Sequence, residues 1–450
     1  MTATGSGTLR PQGGVWWRPE AEPSTAPRAP LRAAMPGLLA AVLLLVLLGA
    51  RRAAAPVSWV PLKRWALGCL LLFHGAWRQR AAGAVPAESR RPRPLRPDPH
   101  ALDSVYFTGF AETNKTFVIA RLAKRPNGIC EMWLFLRVDG IGEFEHPQHP
   151  NMMVSDESEE FWSGGGLTIE YLEPQTRWKI NFDGLLRKGP YRQQWSEEEG
   201  RLVPVKFCFH WDNFTEVFNF NVDGHPSTFA RAIAQEPWTI EFFQRVKKQR
   251  DQHFRHEQWG QAVGEIEINH EKTELSLKGV RSHSYGVRDW SEIYRYVMLL
   301  ARFEDGTAAH LTVINMPATT TNLTVGYVFF PDGRKAGIEW SNASLAEMAD
   351  DGVIREEYGV TFTAGGKYFE VSARLDKQAC PVVYNGLTGR GVFHECIADF
   401  QLNGLTQGWG LAEFYYRDEA AQLVPNLQLG STAKGRDLSS WHPTTNSSPP

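Results

Sequence analysis

Cysteine is scarce: five residues in 450, Cys69, Cys130, Cys208, Cys380 and Cys396, with no Cys-x-x-Cys pair. That spacing argues against a zinc ribbon or a thioredoxin-like centre. No Walker loop, no dinucleotide-binding glycine fingerprint and no Gly-x-Ser-x-Gly elbow occurs, so nucleotide hydrolysis, Rossmann-type redox chemistry and serine hydrolysis lack their sequence signals. Charge of one sign is missing too. The net charge is −2, which gives no whole-chain footprint for nucleic acid. Metal ligands are thin: His146 with His149, and His253 with His256, lack a second pair or a carboxylate at metal spacing, so neither a metal nor a cofactor is expected.

Long apolar runs are nearly absent. One, residues 36–50, is about 15 residues, short of the ~20 that a spanning helix uses. It ends at Arg51-Arg52 and is followed by Ala53, Ala54 and Ala55. It reads as a signal anchor, or as a signal sequence that is cleaved. A second patch, Trp65 to Trp77, is flanked by Lys63, Arg64, Arg78 and Arg80 and reads as an interfacial helix. Residues 1–98 therefore form a hydrophobic leader that ends in a Pro/Arg-rich linker, and residues 433–450 a Ser/Thr/Pro-rich tail. Sequons at Asn114, Asn213, Asn322, Asn342 and Asn446 point to a membrane-anchored or lumenal glycoprotein with its body in the secretory lumen or outside the cell. In that compartment, Cys130–Cys208 and Cys380–Cys396 are candidate disulfides, with buried free thiols as the alternative.

What is abundant is aromatic: 16 Trp and 25 Phe, suited to sheets and apolar cavities. From residue 99 the pattern is mostly of period two. Leu167, Ile169 and Tyr171 alternate with polar neighbours, as do Trp178, Ile180 and Phe182, then Val205, Phe207, Phe209 and Trp211. Such alternation marks half-buried antiparallel strands, and Asp139-Gly140, Asp183-Gly184 and Asp223-Gly224 supply turns. A helical stretch, Ser227 to about Trp259, interrupts them, with Pro237 placed to split it. The expected architecture is mainly β: a first antiparallel barrel over 99–226, a helical connector over 227–259 and a second barrel over 260–432.

Chemistry concentrates in Arg281-Ser282-His283-Ser284-Tyr285-Gly286-Val287-Arg288-Asp289-Trp290. Extended throughout, it puts His283, Tyr285, Val287 and Asp289 on one face. With a bulge at Gly286, Arg288 and Asp289 are re-aimed. Either geometry can gather His283, Tyr285 and Asp289 as catalytic candidates, with Arg288 and Trp290 beside a ligand. A structural corner, with Arg288 and Asp289 paired, is the alternative. Gly408-Trp409-Gly410 with Glu413, and Gly391 with Glu395, suggest strands that bend around a lumen. Glu395, Trp409 and Glu413 are then ligand-facing candidates.

This decapeptide, together with Trp133-Leu134-Phe135-Leu136-Arg137, Glu170-Tyr171-Leu172-Glu173-Pro174, Glu236-Pro237-Trp238 and Glu257-Gln258-Trp259-Gly260, resembles the N-terminal region of animal phosphoenolpyruvate-synthase-like (rifampicin-phosphotransferase-like) proteins over roughly residues 100–420. The ATP-grasp and phosphohistidine modules of that family have no counterpart, which implies no phosphotransferase activity for this chain alone. More remotely, His283-Ser284-Tyr285-Gly286 and Gly408 to Glu413 resemble the carotenoid hydratase-like group of tandem lipocalin-type proteins. The Asp-His-Asn-Trp-Gly motif of that group is altered here at Ser282, Ser284 and Tyr285. The resemblance implies two lipocalin-type barrels with an apolar ligand cavity. Three functions are expected from these readings. The first is binding of a small lipid- or isoprenoid-like ligand. The second is a lyase- or isomerase-type enzyme on an apolar unsaturated substrate, with Asp289 or Glu395 as acid. The third is a membrane-tethered interaction module.

Overall fold

The computed structural model describes residues 59–81, 91–112, 114–189, 200–350, 352–376, 380–385 and 391–417. The anchor at 36–50, Asn446 and the 433–450 tail lie outside the described residues. The protein is mainly β, with two closed eight-stranded antiparallel barrels and a few helices.

The first barrel runs in the order Ala101–Phe110, Phe117–Arg125, Ile129–Val138, Gly142–Glu145, Arg177–Lys188, Leu202–Asn213, His253–Ile268 and Glu271–Val287. The last strand pairs back to the first, Ala101 opposite Val287. The barrel therefore closes only with two strands that follow the helices, and the boundary expected near residue 260 is corrected. The strand starting at His253 pairs on both edges, with Leu202–Asn213 and with Glu271–Val287; left out, it would expose two rows of backbone donors and acceptors. The second barrel uses Arg295–Phe303, Ala308–Met316, Thr320–Phe329, Lys335–Ser341, Glu357–Ala364, Lys367–Leu375, Gly391–Leu402 and Thr406–Arg417, closing between the last and Arg295–Phe303.

The alternation read from the sequence sends Trp178, Ile180, Phe182, Phe207, Phe209 and Trp211 into the first lumen. Val297, Leu299, Val360, Phe362, Phe400 and Phe414 fill the second. Both lumens are thus packed with side chains. The outer faces meet: Ile119, Trp133, Phe135 and Trp259 of one barrel pack with Leu300, Phe329, Ile397 and Leu411 of the other. Asp139-Gly140 makes the expected turn, whereas Asp183-Gly184 lies within the strand Arg177–Lys188. There Asp183 pairs across the ladder with Lys206 at 3.0 Å.

The connector is two helices. The first, Pro226–Gln235, starts on a proline at its first position, with His225 Nδ1 accepting from Ser227 N at 3.3 Å. Pro237 then breaks the helix, and Thr239 Oγ1 accepts from Phe242 N at 3.1 Å to begin the second, Ile240–Gln252. A further helix, Val60–Ala81, covers the expected interfacial patch. Its Leu67 packs on Ala230, Ile233 and Phe242, and Lys63 Nζ donates to Glu236 O at 3.0 Å. Among the described residues no helix is long and apolar enough to cross a membrane.

Of the expected disulfides, Cys380–Cys396 forms. Cys130 and Cys208 are free thiols. Alternation explains it: Cys130 points into the first lumen, while Cys208 lies between the inward-facing Phe207 and Phe209 and so on the outer face.

Candidate functional site

The strand Glu271–Val287 is the wall on which the site is arranged. Its pairing runs unbroken through Gly286, so no bulge re-aims the chain. Gly286 has φ +116°, and a Cβ there would lie 2.0 Å from Gln252 O, so glycine serves a close backbone approach. His283 and Tyr285 point into the first lumen, where His283 Nε2 is 2.6 Å from Asp103 Oδ1 beside the rings of Trp162 and Trp178. Both members of the pair are fully buried.

Beyond Val287 the strand ends. Arg288, Asp289 and Trp290 line a cavity of about 760 Å³ between the two barrels, roofed by the connector helices. The decapeptide therefore splits across the wall, and the expected union of His283, Tyr285 and Asp289 is corrected. Asp289 is committed locally: its Oδ1 accepts from Ser291 N at 2.9 Å and Ser291 Oγ at 2.6 Å, and its Oδ2 is 3.5 Å from His100 Nε2. The Arg288–Asp289 pair of the structural-corner reading does not form. Arg288 instead donates from Nη2 (2.6 Å) and Nε (3.1 Å) to His253 Nε2.

The cavity wall is apolar over Leu71, Phe229, Ile233, Val246, Ile314 and Leu323. On the barrel side it presents His253, Arg255, Arg288, Tyr296 and His310, and the second connector helix adds Lys248 and Arg250. Glu257, behind Arg255, is fully buried at the barrel seam. It accepts from Arg255 Nε at 2.9 Å and from Tyr327 OH at 2.9 Å, and lies 2.8 Å from His310 Nδ1. Burial alone would raise its pKa; Arg255 and His310 overcome that and hold the carboxyl well below the usual range.

Glu395 and Glu413 do not face a lumen. On their strands Cys396, Ala398, Ala412 and Phe414 point inward, which sends both carboxyls outward to the seam. Tyr106 OH donates to Glu395 at 3.4 Å, and Tyr296 OH donates to Glu413. Burial pushes Glu395 up to about 8 and Glu413 up to about 7. Trp409 also packs in the seam. None of these three lines the cavity, but Tyr296, the partner of Glu413, does.

His253, Arg255, Glu257, Tyr296 and His310 carry the site without having been singled out as one. Residues 253–257 continue a charged run that reads as helix. They form a strand, and alternation puts His253, Arg255 and Glu257 on its outer face. His253 and His256 consequently point to opposite sides. Among the described residues no group of three His, Cys, Asp or Glu side chains is placed to hold a metal ion.

Residues 87–416 match the model of a family of unknown function, DUF8627. No curated protein matches the chain. Among solved structures, a protein described as an AttH from Nitrosomonas europaea is similar, with TM-score 0.45 and 11% identity, covering 74% of this chain and 98% of that one. Kievitone hydratase from Nectria haematococca gives TM-score 0.42 and 11% identity, covering 74% and 94%. CghA with Sch210972 gives 0.41 and 9%, covering 71% and 89%.

Proposed function

The chain belongs to the DUF8627 family of unknown function, and we propose that it binds a small, mainly apolar ligand in the cavity between its barrels. One observation carries this reading: a cavity of about 760 Å³ with a largely apolar wall and a few convergent polar side chains. Small-molecule sites have that size and make-up. The lumens, filled by their own aromatic side chains, are set aside as the ligand site. Native mass spectrometry with lipid extraction on the full chain tests it. A co-purifying apolar molecule is expected from the wild type, retained at least about tenfold less by Ile314→Trp, which fills the cavity. A wild-type protein that carries nothing, or an unchanged load in the variant, sinks the reading.

A second reading, a hydratase- or isomerase-type enzyme, is favoured by the Tyr296–Glu413 contact. A carboxyl pushed up to about 7 is half protonated at neutral pH, and Tyr296 links it to the cavity. That is the arrangement of a general acid reached through a phenol.

The same reading keeps the body in an oxidising lumen, supported by the Cys380–Cys396 bridge. Sequon exposure then sets a pattern. Asn322 and Asn342 are exposed, while Asn114 is buried and its Nδ2 donates across the seam to Ala398 O at 2.7 Å and Asp399 Oδ1 at 2.9 Å. Glycopeptide mapping after expression in secretory cells should find glycans on Asn322 and Asn342 and none on Asn114. Glycan on Asn114, or on no sequon, contradicts the placement.

A further inference from the structure

Arg288 is a cation without a counter-ion. Among the described residues no carboxylate lies within ion-pair distance of it. Its Nε and Nη2 donate to the single acceptor His253 Nε2, and its guanidinium sits 5.1 Å from the Trp290 ring centre. The neighbouring Asp289 is held by Ser291 and His100. A guanidinium has five N–H donors in a rigid fork, and one imidazole nitrogen cannot satisfy them. The remaining donors belong to a side chain that lines the cavity.

The surroundings sharpen the imbalance. Arg255, Arg121 and Arg125 repel Arg288, and Glu131 offsets them only in part. Arg121 and Arg125 share one carboxylate, Glu131, at 2.7 and 2.8 Å. Arg255 uses Glu257, whose other oxygen is taken by His310 and Tyr327. Among the described residues these four guanidinium groups have two ion-paired carboxylates between them, and Arg288 pairs with neither. Burial and this crowd of like charge hold its pKa well below the ordinary arginine value. Desolvated charges are kept where something compensates them. Of the other acids on the cavity wall, Asp223 is taken by Lys335 at 2.9 Å, Asp98 accepts from His100 N at 2.8 Å, and Glu292 interacts electrostatically with Lys248 and His100 and forms no ion pair with Arg288 among the described residues.

We propose that the Arg288 corner binds the carboxylate of the cavity's ligand, which makes that ligand an ionised apolar carboxylic acid. This rests on the cavity reading above and adds the head-group chemistry. The planar fork of arginine matches a carboxylate through two parallel hydrogen bonds. His253, taking the Arg288 donors on Nε2, holds the guanidinium in place, and the apolar wall takes the chain.

Dodecanoic acid and dodecan-1-ol, titrated into the full-length protein with tryptophan fluorescence as readout, test it. The acid should bind at least about tenfold more tightly than the alcohol, the range of one charge-assisted contact. Arg288→Met should remove that preference and leave the alcohol's affinity unchanged. It should also raise the melting temperature of the ligand-free protein by about 2 °C or more, because an uncompensated cation is gone. Arg288→Lys keeps the charge without the fork and should retain only part of the preference, which preserves the test if the methionine variant fails to fold. Equal binding of acid and alcohol, a preference that survives Arg288→Met, or no binding of either probe overturns the proposal. Ile314→Trp separates the two readings. If it blocks both probes while Arg288→Met changes nothing, the cavity stands and the head-group assignment falls. If it blocks neither, both fall.

Discussion

Glu395→Gln should stabilise the protein by roughly 5 kcal/mol at pH 8.5 and change it little near pH 4.5. Glu395 is fully buried, with one oxygen lacking any hydrogen-bond partner among the described residues and the other receiving only the long Tyr106 contact. Burial raises its pKa to about 8, and each pKa unit of difference between folded and unfolded chain corresponds to about 1.4 kcal/mol. The folded protein keeps a proton that the unfolded chain releases above about pH 4.3, so the unfolded state binds fewer protons in between. Stability then falls as pH rises, most steeply between about 5 and 8. Glu413 adds the same sign up to about 7. Glutamine copies the neutral acid in shape and never ionises, so the variant should decline less steeply than the wild type and keep only the part due to Glu413. Urea unfolding at pH 4.5, 6.5 and 8.5 measures this. An equal loss at all three values would mean that Glu395 is ionised and paired. Glu413→Gln, run beside it, also separates the functional readings: ligand affinity should survive in both, while turnover vanishes only if the protein is an enzyme.

The opposite sign belongs to Glu257→Ala, which should cost about 3–5 kcal/mol, the range found when one partner of a buried ion pair is removed. The carboxylate joins Arg255 of the first barrel to His310 and Tyr327 of the second. Without it, a guanidinium, an imidazole and a phenol lose the acceptor they share at a fully buried position. The folded pKa of Glu257 lies below its unfolded value. Its contribution is therefore present above about pH 4.3 and is lost as pH falls toward the folded pKa. The seam is thus weakened by acid through Glu257 and by alkali through Glu395 and Glu413. Thermal melts of Glu257→Ala and of the Glu257→Ala/His310→Phe double variant check the assignment: replacing His310 as well should recover part of the loss. A Glu257→Ala protein as stable as wild type would show that the seam is held by apolar packing alone.

The strands with one apolar face were legible from sequence. Trp178, Ile180 and Phe182 alternate with Lys179, Asn181 and Asp183, and burial follows that pattern. So was the break between the connector helices, because Pro237 removes a donor. The strand from His253 was hidden because both of its faces are polar at that end: His253, Arg255 and Glu257 look out, and His256 and Gln258 look in. Hydropathy shows no period there, and the adjoining helical residues are charged as well. The extent of the first barrel was hidden for another reason. Which strand closes a sheet depends on pairing between distant segments, and neither segment carries a local mark of its partner. The site followed suit. Arg288 and Trp290 were visible as chemistry, but their separation from His283 and Tyr285 depends on where a strand ends.

That late closure has a consequence for how the chain is made. Asp103 and His283 sit on paired strands but are 180 residues apart. During synthesis, six strands of the first barrel emerge and must wait, with both outer edges unpaired, until the helices and then residues up to Val287 have left the ribosome. Long-range pairing of this kind is slow and leaves aggregation-prone edges exposed. The helices that roof the cavity are tethered between the waiting half and the closing hairpin, so they emerge before the first barrel can shut. The strands Thr320–Phe329 and Lys335–Ser341, on which the first of them rests, come later and complete the cavity last.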